Sequence, residues 1–124
     1  MIDGAKPLGP EAQFRAYLGE GRFMIQRSRS TGRYVFYPRV AVPGSGETDL
    51  EWVAASGEAT IYAITVNRTR QGAYNIALVD LAEGPRMMSR IEGVETAPIG
   101  ARLKARIAAI AGEPGLVFDL VEQV

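Results

Sequence analysis

The chain has 124 residues, 14 acidic and 14 basic side chains, 47% hydrophobic residues, and neither cysteine nor histidine; this length fits one domain with a small appendage and allows a real core. Without thiolate or imidazole there is no disulfide, no Ser-His-Asp triad, no Cys-His pair and no standard zinc, haem or iron–sulfur site, so carboxylates, Tyr, Ser/Thr, Lys6 and Lys104 are what remains for catalysis. Zero net charge argues against a generic nucleic-acid binder, and no apolar run approaches the ~20 residues of a membrane span.

Residues 1–9, with Gly4, Pro7 and Gly9, read as a lead-in. They lack the basic start and apolar run of a signal peptide, which places the expected location in the cytoplasm. Pro10 opens a short helix over 11–18, because proline at a first helical turn gives up no backbone bond. Phe14, Tyr17 and Leu18 form its apolar stripe, and Gly19 and Gly21 end it. Two β-prone runs, 22–27 and 33–37, then flank the polar knuckle Ser28-Arg-Ser-Thr-Gly32 and predict a hairpin closed by Pro38. A second knuckle, Ala41-Val-Pro-Gly-Ser-Gly-Glu47, leads to an extended segment over 49–53. From Gly21 to Gly46 there are five arginines and no acid, so this stretch is +5 and the rest of the chain −5.

Five β-type runs follow Gly57: 58–67, 74–81, 86–91, 102–110 and 116–122. The turns between them hold Gly72, Gly84-Pro85, Gly93 with Pro98 and Gly100, and Gly112 through Gly115. The fourth run alternates Leu103, Ala105 and Ile107 against Arg102, Lys104 and Arg106, a half-buried strand with a basic outer face. The fifth alternates Leu116, Phe118 and Leu120 against Val117, Asp119 and Val121. Ala105–Ala111 is helix-prone by propensity, but the alternation before it and Gly112 after it favour strand. Five strands in this length predict a small barrel of the OB type, and periodicity alone leaves an SH3-like barrel open.

Gln26-Arg-Ser28-Arg-Ser-Thr31-Gly, Pro38-Arg39, Val42-Pro-Gly-Ser45-Gly and Asp49-Leu-Glu-Trp52, followed by Ser56-Gly-Glu-Ala-Thr-Ile-Tyr62-Ala, occur in order. With Ala77 to Arg86 and Ile99-Gly100, this series resembles the acyl-CoA-associated OB-fold family, which couples an N-terminal rubredoxin-like zinc ribbon to an OB-fold barrel. The resemblance spans about residues 11–122. It implies a mainly β chain with a lead-in and short helix over 1–20, a ribbon hairpin over 21–53 and a five-stranded OB barrel over 54–124. The family's four zinc-ligand cysteines fall on Ser28, Thr31, Val42 and Ser45, none of which supplies a thiolate. The expectation is therefore a degenerate, metal-free ribbon with no zinc. Structural zinc contributes about 10–16 kcal/mol in isolated finger peptides, whereas one hydroxyl bond gives about 1 kcal/mol net. Ser28, Thr31 and Ser45 hydroxyls should thus bond the knuckle backbone, while packing of Phe23, Ile25, Val35 and Phe36 supplies most of the replacement.

The resemblance also implies a non-catalytic accessory subunit of a thiolase-like enzyme, acyltransferase or aldolase acting on acyl-CoA, with coenzyme A or acyl-CoA as the candidate ligand. Arg27, Arg29, Arg33 and Arg39 are the candidate phosphate grip, since guanidinium suits phosphate; the bland alternative is solvated arginines or pairing with a partner's acids. A second copy of the chain is a further candidate partner. The competing class is a single-stranded nucleic-acid-binding OB protein using Arg102, Lys104 and Arg106 with Tyr62 or Tyr74, against which stand the neutral charge and the few aromatics. Trp52 reads as packing between ribbon and barrel more than as an interface anchor. Asp80 and Glu83 read as turn chemistry, and Met87-Met88 as one core and one surface methionine. The Arg-rich ribbon and the Met87-Met88 strand are the candidate partner patches.

Overall fold

The structure, a computed structural model, describes residues 9–41, 46 and 48–121. The chain divides into two compact units, Met1–Ala54 and Ala55–Val124. The architecture is mainly β: one helix, a three-stranded sheet and a five-stranded, nearly closed barrel.

In the first unit, helix α1 (Pro10–Gly19) starts on proline, with Glu11 in its first turn, where a negative charge suits the helix dipole. It ends because Gly21 adopts a φ of 79° that a side chain would disfavour. The Gly21 N–H then donates to Leu18 O and the Arg22 N–H to Tyr17 O, both at 2.9 Å, which satisfies two end carbonyls. The sheet has β1 (Met24–Ser28) at its centre, flanked by β2 (Tyr34–Val35) and β3 (Leu50–Ala54), all antiparallel. As the central strand, β1 buries Met24, Ile25, Gln26 and Ser28, so it does not alternate. The expected aromatic packing is present. Phe14 of α1 meets Phe23 at 6.4 Å and Phe36 at 5.3 Å, both edge to face. The predicted second arm, 33–37, pairs only over Tyr34–Val35; Phe36 is instead turned onto Phe14, which ends the ladder early.

The second unit contains β4 (Glu58–Thr69), β5 (Gly72–Leu81), β6 (Arg86–Ser89), β7 (Arg102–Ile110) and β8 (Glu113–Leu120), in the order β6-β5-β4-β7-β8. The two edges approach through a parallel bridge between Ile91 and Phe118. There the Phe118 N–H donates to Arg90 O and the Glu92 N–H to Phe118 O, at 3.0 and 2.9 Å. Ser89 Oγ adds a bond to Leu116 O. Ala59, Ile61, Ala77, Val79, Leu81, Met87, Leu103 and Phe118 are buried. A register shift between Ile61 and Ala63 leaves Tyr62 as the extra residue of β4, and such a bulge re-aims a side chain.

Several strand limits differ from the sequence reading; β6, for one, ends at Ser89 and not at Ile91. β4 and β5 run on to meet at Arg70-Gln71, so the turn is tighter than Gly72 suggested. The β7–β8 turn is Ala111-Gly112, with φ of 52° and 84°. Two consecutive positive φ values give the primed hairpin turn that matches strand twist, so Pro114 and Gly115 lie inside β8 and pair with Ala109 and Ala108. In β8 both Val117 and Phe118 are buried, so its alternation is not clean.

Candidate functional site

The first knuckle is a closed polar network. Ser28, one of the four positions expected from the resemblance, is buried and donates from Oγ to Asp49 Oδ1 at 2.9 Å. Its Oγ also accepts the Thr31 N–H at 3.3 Å and lies 3.2 Å from Ser30 Oγ. The other carboxylate oxygen of Asp49 accepts the Ser30 N–H at 2.7 Å. Thr31 Oγ1 accepts the Arg33 N–H, and Gly32, at φ 74°, donates its N–H to Ser28 O. The hydroxyl roles expected of Ser28 and Thr31 are thus present. Val42 and Ser45 lie outside the described residues. Hydrogen bonds from Ser30, then Ser28, hold the Asp49 carboxyl below its ordinary range. Among the described residues no group of three or more acidic side chains could hold a metal ion.

Sequence reasoning missed Asp49 as the centre of this network, and it missed Gln26. The buried Ser28 hydroxyl needs an acceptor, and the pairing of Ser28 with Leu50 brings the residue before Leu50 to that hydroxyl. Gln26, buried in β1, donates from Nε2 to Arg39 O at 2.7 Å and accepts the Arg39 N–H at 2.6 Å. This two-point clamp fixes the backbone leading to the second knuckle.

The four candidate arginines do not converge as one grip. Arg27 and Arg29 meet on Glu51, the cross-strand partner of Arg27, at 2.8 and 3.4 Å. The Arg27 hydrogen bond holds the Glu51 carboxyl below its ordinary range. An anion arriving here shares two guanidinia with a carboxylate already in place. Arg33 and Arg39 have exposed side chains and make no ion pair among the described residues. Arg39 is held through its backbone, not its guanidinium. Trp52 lies 5.4 Å from Tyr17 with the ring planes tilted by 59° and donates Nε1–H to Gln13 Oε1, so its ring packs on the helix of its own unit.

On the barrel, the basic face of β7 is partly engaged. Arg106 pairs with Asp119 at 2.7 Å, and Lys104 Nζ donates to Ser56 O at 2.7 Å. Lys104 also packs where a Cβ on Gly57 (φ 82°) would sit, at 3.5 Å. Glu83 accepts the Ser56 N–H at 2.7 Å, a turn role as expected. Asp80 pairs with Arg86 at 2.6 Å, and that guanidinium lies 3.4 Å from the centre of the Tyr62 ring. Met87 is in the core and Met88 outside. A cleft of about 420 Å³ runs over Thr60, Asp80, Arg102 and Lys104 and mixes both signs of charge.

Residues 52–108 match the sequence family of the ChsH2 C-terminal OB-fold domain. Among solved structures the chain is similar to one in the Ltp2–ChsH2(DUF35) aldolase, with a TM-score of 0.79 and 22% identity over 94% of this chain and 98% of that one. It is also similar to a DUF35-family protein of unknown function from Sulfolobus solfataricus, with a TM-score of 0.65 and 19% identity over 89% and 84%. No curated protein sequence matches it.

Proposed function

This chain carries a C-terminal OB-fold domain of the ChsH2 family, and from that premise we propose that it is a non-catalytic partner subunit of a thiolase-like or acyltransferase-type enzyme, contributing to acyl-CoA binding. The observation that carries the reading is the pairing of this family match with a fold like that of a chain in an Ltp2–ChsH2 assembly. The residues agree with a supporting role. Among the described residues, ion pairs and hydrogen bonds tie turns and strands together. Arg27, Arg29, Arg33 and Arg39 remain the proposed contacts for coenzyme A phosphates, with Arg33 and Arg39 the more available because Glu51 occupies the other two.

Single-strand binding is the less supported class. OB barrels grip strands with the loops between their first and second and their fourth and fifth strands. Here those are the two-residue turns Arg70-Gln71 and Ala111-Gly112, too short to wrap a strand. Purification of the tagged full chain from its native source tests the proposal. It predicts stoichiometric recovery of a thiolase-like enzyme; salt-sensitive binding of a short oligonucleotide, with no such enzyme recovered, overturns it. For the ligand, calorimetric titration with coenzyme A and dephospho-coenzyme A should give heat that Arg39→Glu abolishes. No heat with either ligand removes the phosphate role.

A further inference from the structure

We infer that the outer face of β4, β5 and β6 is where the chain docks on its enzyme partner, an inference that rests on the function proposed above. Strand register places the outward residues of this face side by side: Leu78 opposite Met88, Asp80 opposite Arg86, Ile76 opposite Thr65 and Tyr74 opposite Asn67. Four large apolar side chains stand out to solvent here, with exposures of 49% for Tyr62, 48% for Tyr74, 38% for Ile76 and 56% for Met88. Scattered single apolar residues are ordinary on a surface, whereas a contiguous set on one sheet face marks an interaction site. Aromatic, Met and Arg side chains are the types enriched in protein interfaces.

The bulge puts Tyr62 on this face, and Arg86 covers its ring while bonding Asp80. Arg86 is therefore already held in place, so little side-chain freedom remains to be lost on binding. The Asp80–Arg86 pair also cancels its own charge. Such a face offers no counter-charge to a phosphate backbone and matches an apolar, uncharged protein surface. From Tyr74 to Asp80 the patch runs about 20 Å, and three strands span about 14 Å, a footprint of roughly 300 Å². Two copies meeting through this face alone would bury far less than the ~800 Å² per partner of a stable interface. A larger partner that continues the contact beyond the rim satisfies the requirement, and a second copy does not.

The test uses the full chain co-expressed with the thiolase-like enzyme it recovers. Ile76→Glu/Met88→Glu should lower enzyme recovery by about tenfold or more while leaving the melting temperature and circular dichroism unchanged, since both positions are exposed. Ile99→Glu, on the exposed β6–β7 connection, should recover the enzyme like wild type. Undiminished recovery by Ile76→Glu/Met88→Glu overturns the assignment of this face and leaves the proposed function standing. Failure of the wild-type chain to recover any such enzyme overturns both. A wild-type dimer in light scattering that Ile76→Glu/Met88→Glu dissociates assigns the face to a second copy and overturns the inference.

Discussion

At the residue scale, Asp49 ties the first knuckle together, because one carboxylate binds several points of it at once. Its two oxygens hold the Ser28 hydroxyl and the Ser30 N–H. Asp49→Asn keeps the shape but removes the charge that strengthens both bonds, so the Ser30 and Thr31 amides should exchange with solvent several-fold faster, measured by hydrogen exchange. A pH dependence follows with a definite sign. Asp49, Glu51 and Asp119 all have carboxyls held below their unfolded values, so their stabilisation is present above the ordinary carboxylate range. It is lost as pH falls through the lowered values. With no histidine, the melting temperature should be flat from about pH 8 to 5.5 and fall in acid below about pH 4. A midpoint of loss near neutral pH would contradict this. Asp49 was not legible in the sequence, because its role depends on the pairing of β3 with β1.

At the element scale, the β6–β7 connection is pinned by one buried side chain. Asn75 of β5 is 3% exposed. It donates to Ile91 O at 2.9 Å and Val94 O at 3.1 Å, and accepts the Ile91 N–H at 2.8 Å. An Arg68–Glu95 ion pair adds a surface contact to the same connection. Asn75→Ala leaves the Ile91 groups buried without partners and should cost roughly 2–4 kcal/mol. That predicts a drop in melting temperature of about 10 °C or more, read by circular dichroism. In the first unit, Trp52 is the only tryptophan of the chain and packs against Tyr17, so its fluorescence reports the sheet. Incubation with a chelator should leave that emission and the melting temperature unchanged; a loss of signal restored by zinc would contradict the metal-free ribbon. The strands were legible because β4, β5 and β7 alternate between buried and exposed residues. The ends were less so. Ala111-Gly112 is a turn because of φ values that no periodicity records, and Pro114 sits in β8 although proline ordinarily signals a break. Gln26 looked like an unremarkable strand residue until its amide met the Arg39 backbone across 13 positions.

At the scale of the whole molecule, several basic side chains are engaged in ion pairs within the chain. Glu51 takes Arg27 and Arg29, Asp119 takes Arg106, and Asp80 takes Arg86. Ordered motifs anticipated the barrel, of which the ChsH2 family match covers β4 to most of β7. The arginine set was only half legible. Spacing around a hairpin suggested convergence, but cross-strand register handed two of the four to a carboxylate. The outer barrel face was less legible still, because the bulge that exposes Tyr62 and the stacking of Arg86 arise only once β4, β5 and β6 are paired. The role proposed for the chain is to act beside a catalyst. The most direct test is light scattering on the full 13.4 kDa chain co-expressed with the thiolase-like enzyme, together with an acyl-CoA turnover assay on the chain alone. The prediction is a complex containing both proteins and no turnover by the chain; elution of the chain apart from the enzyme, or turnover by the chain alone, would contradict it.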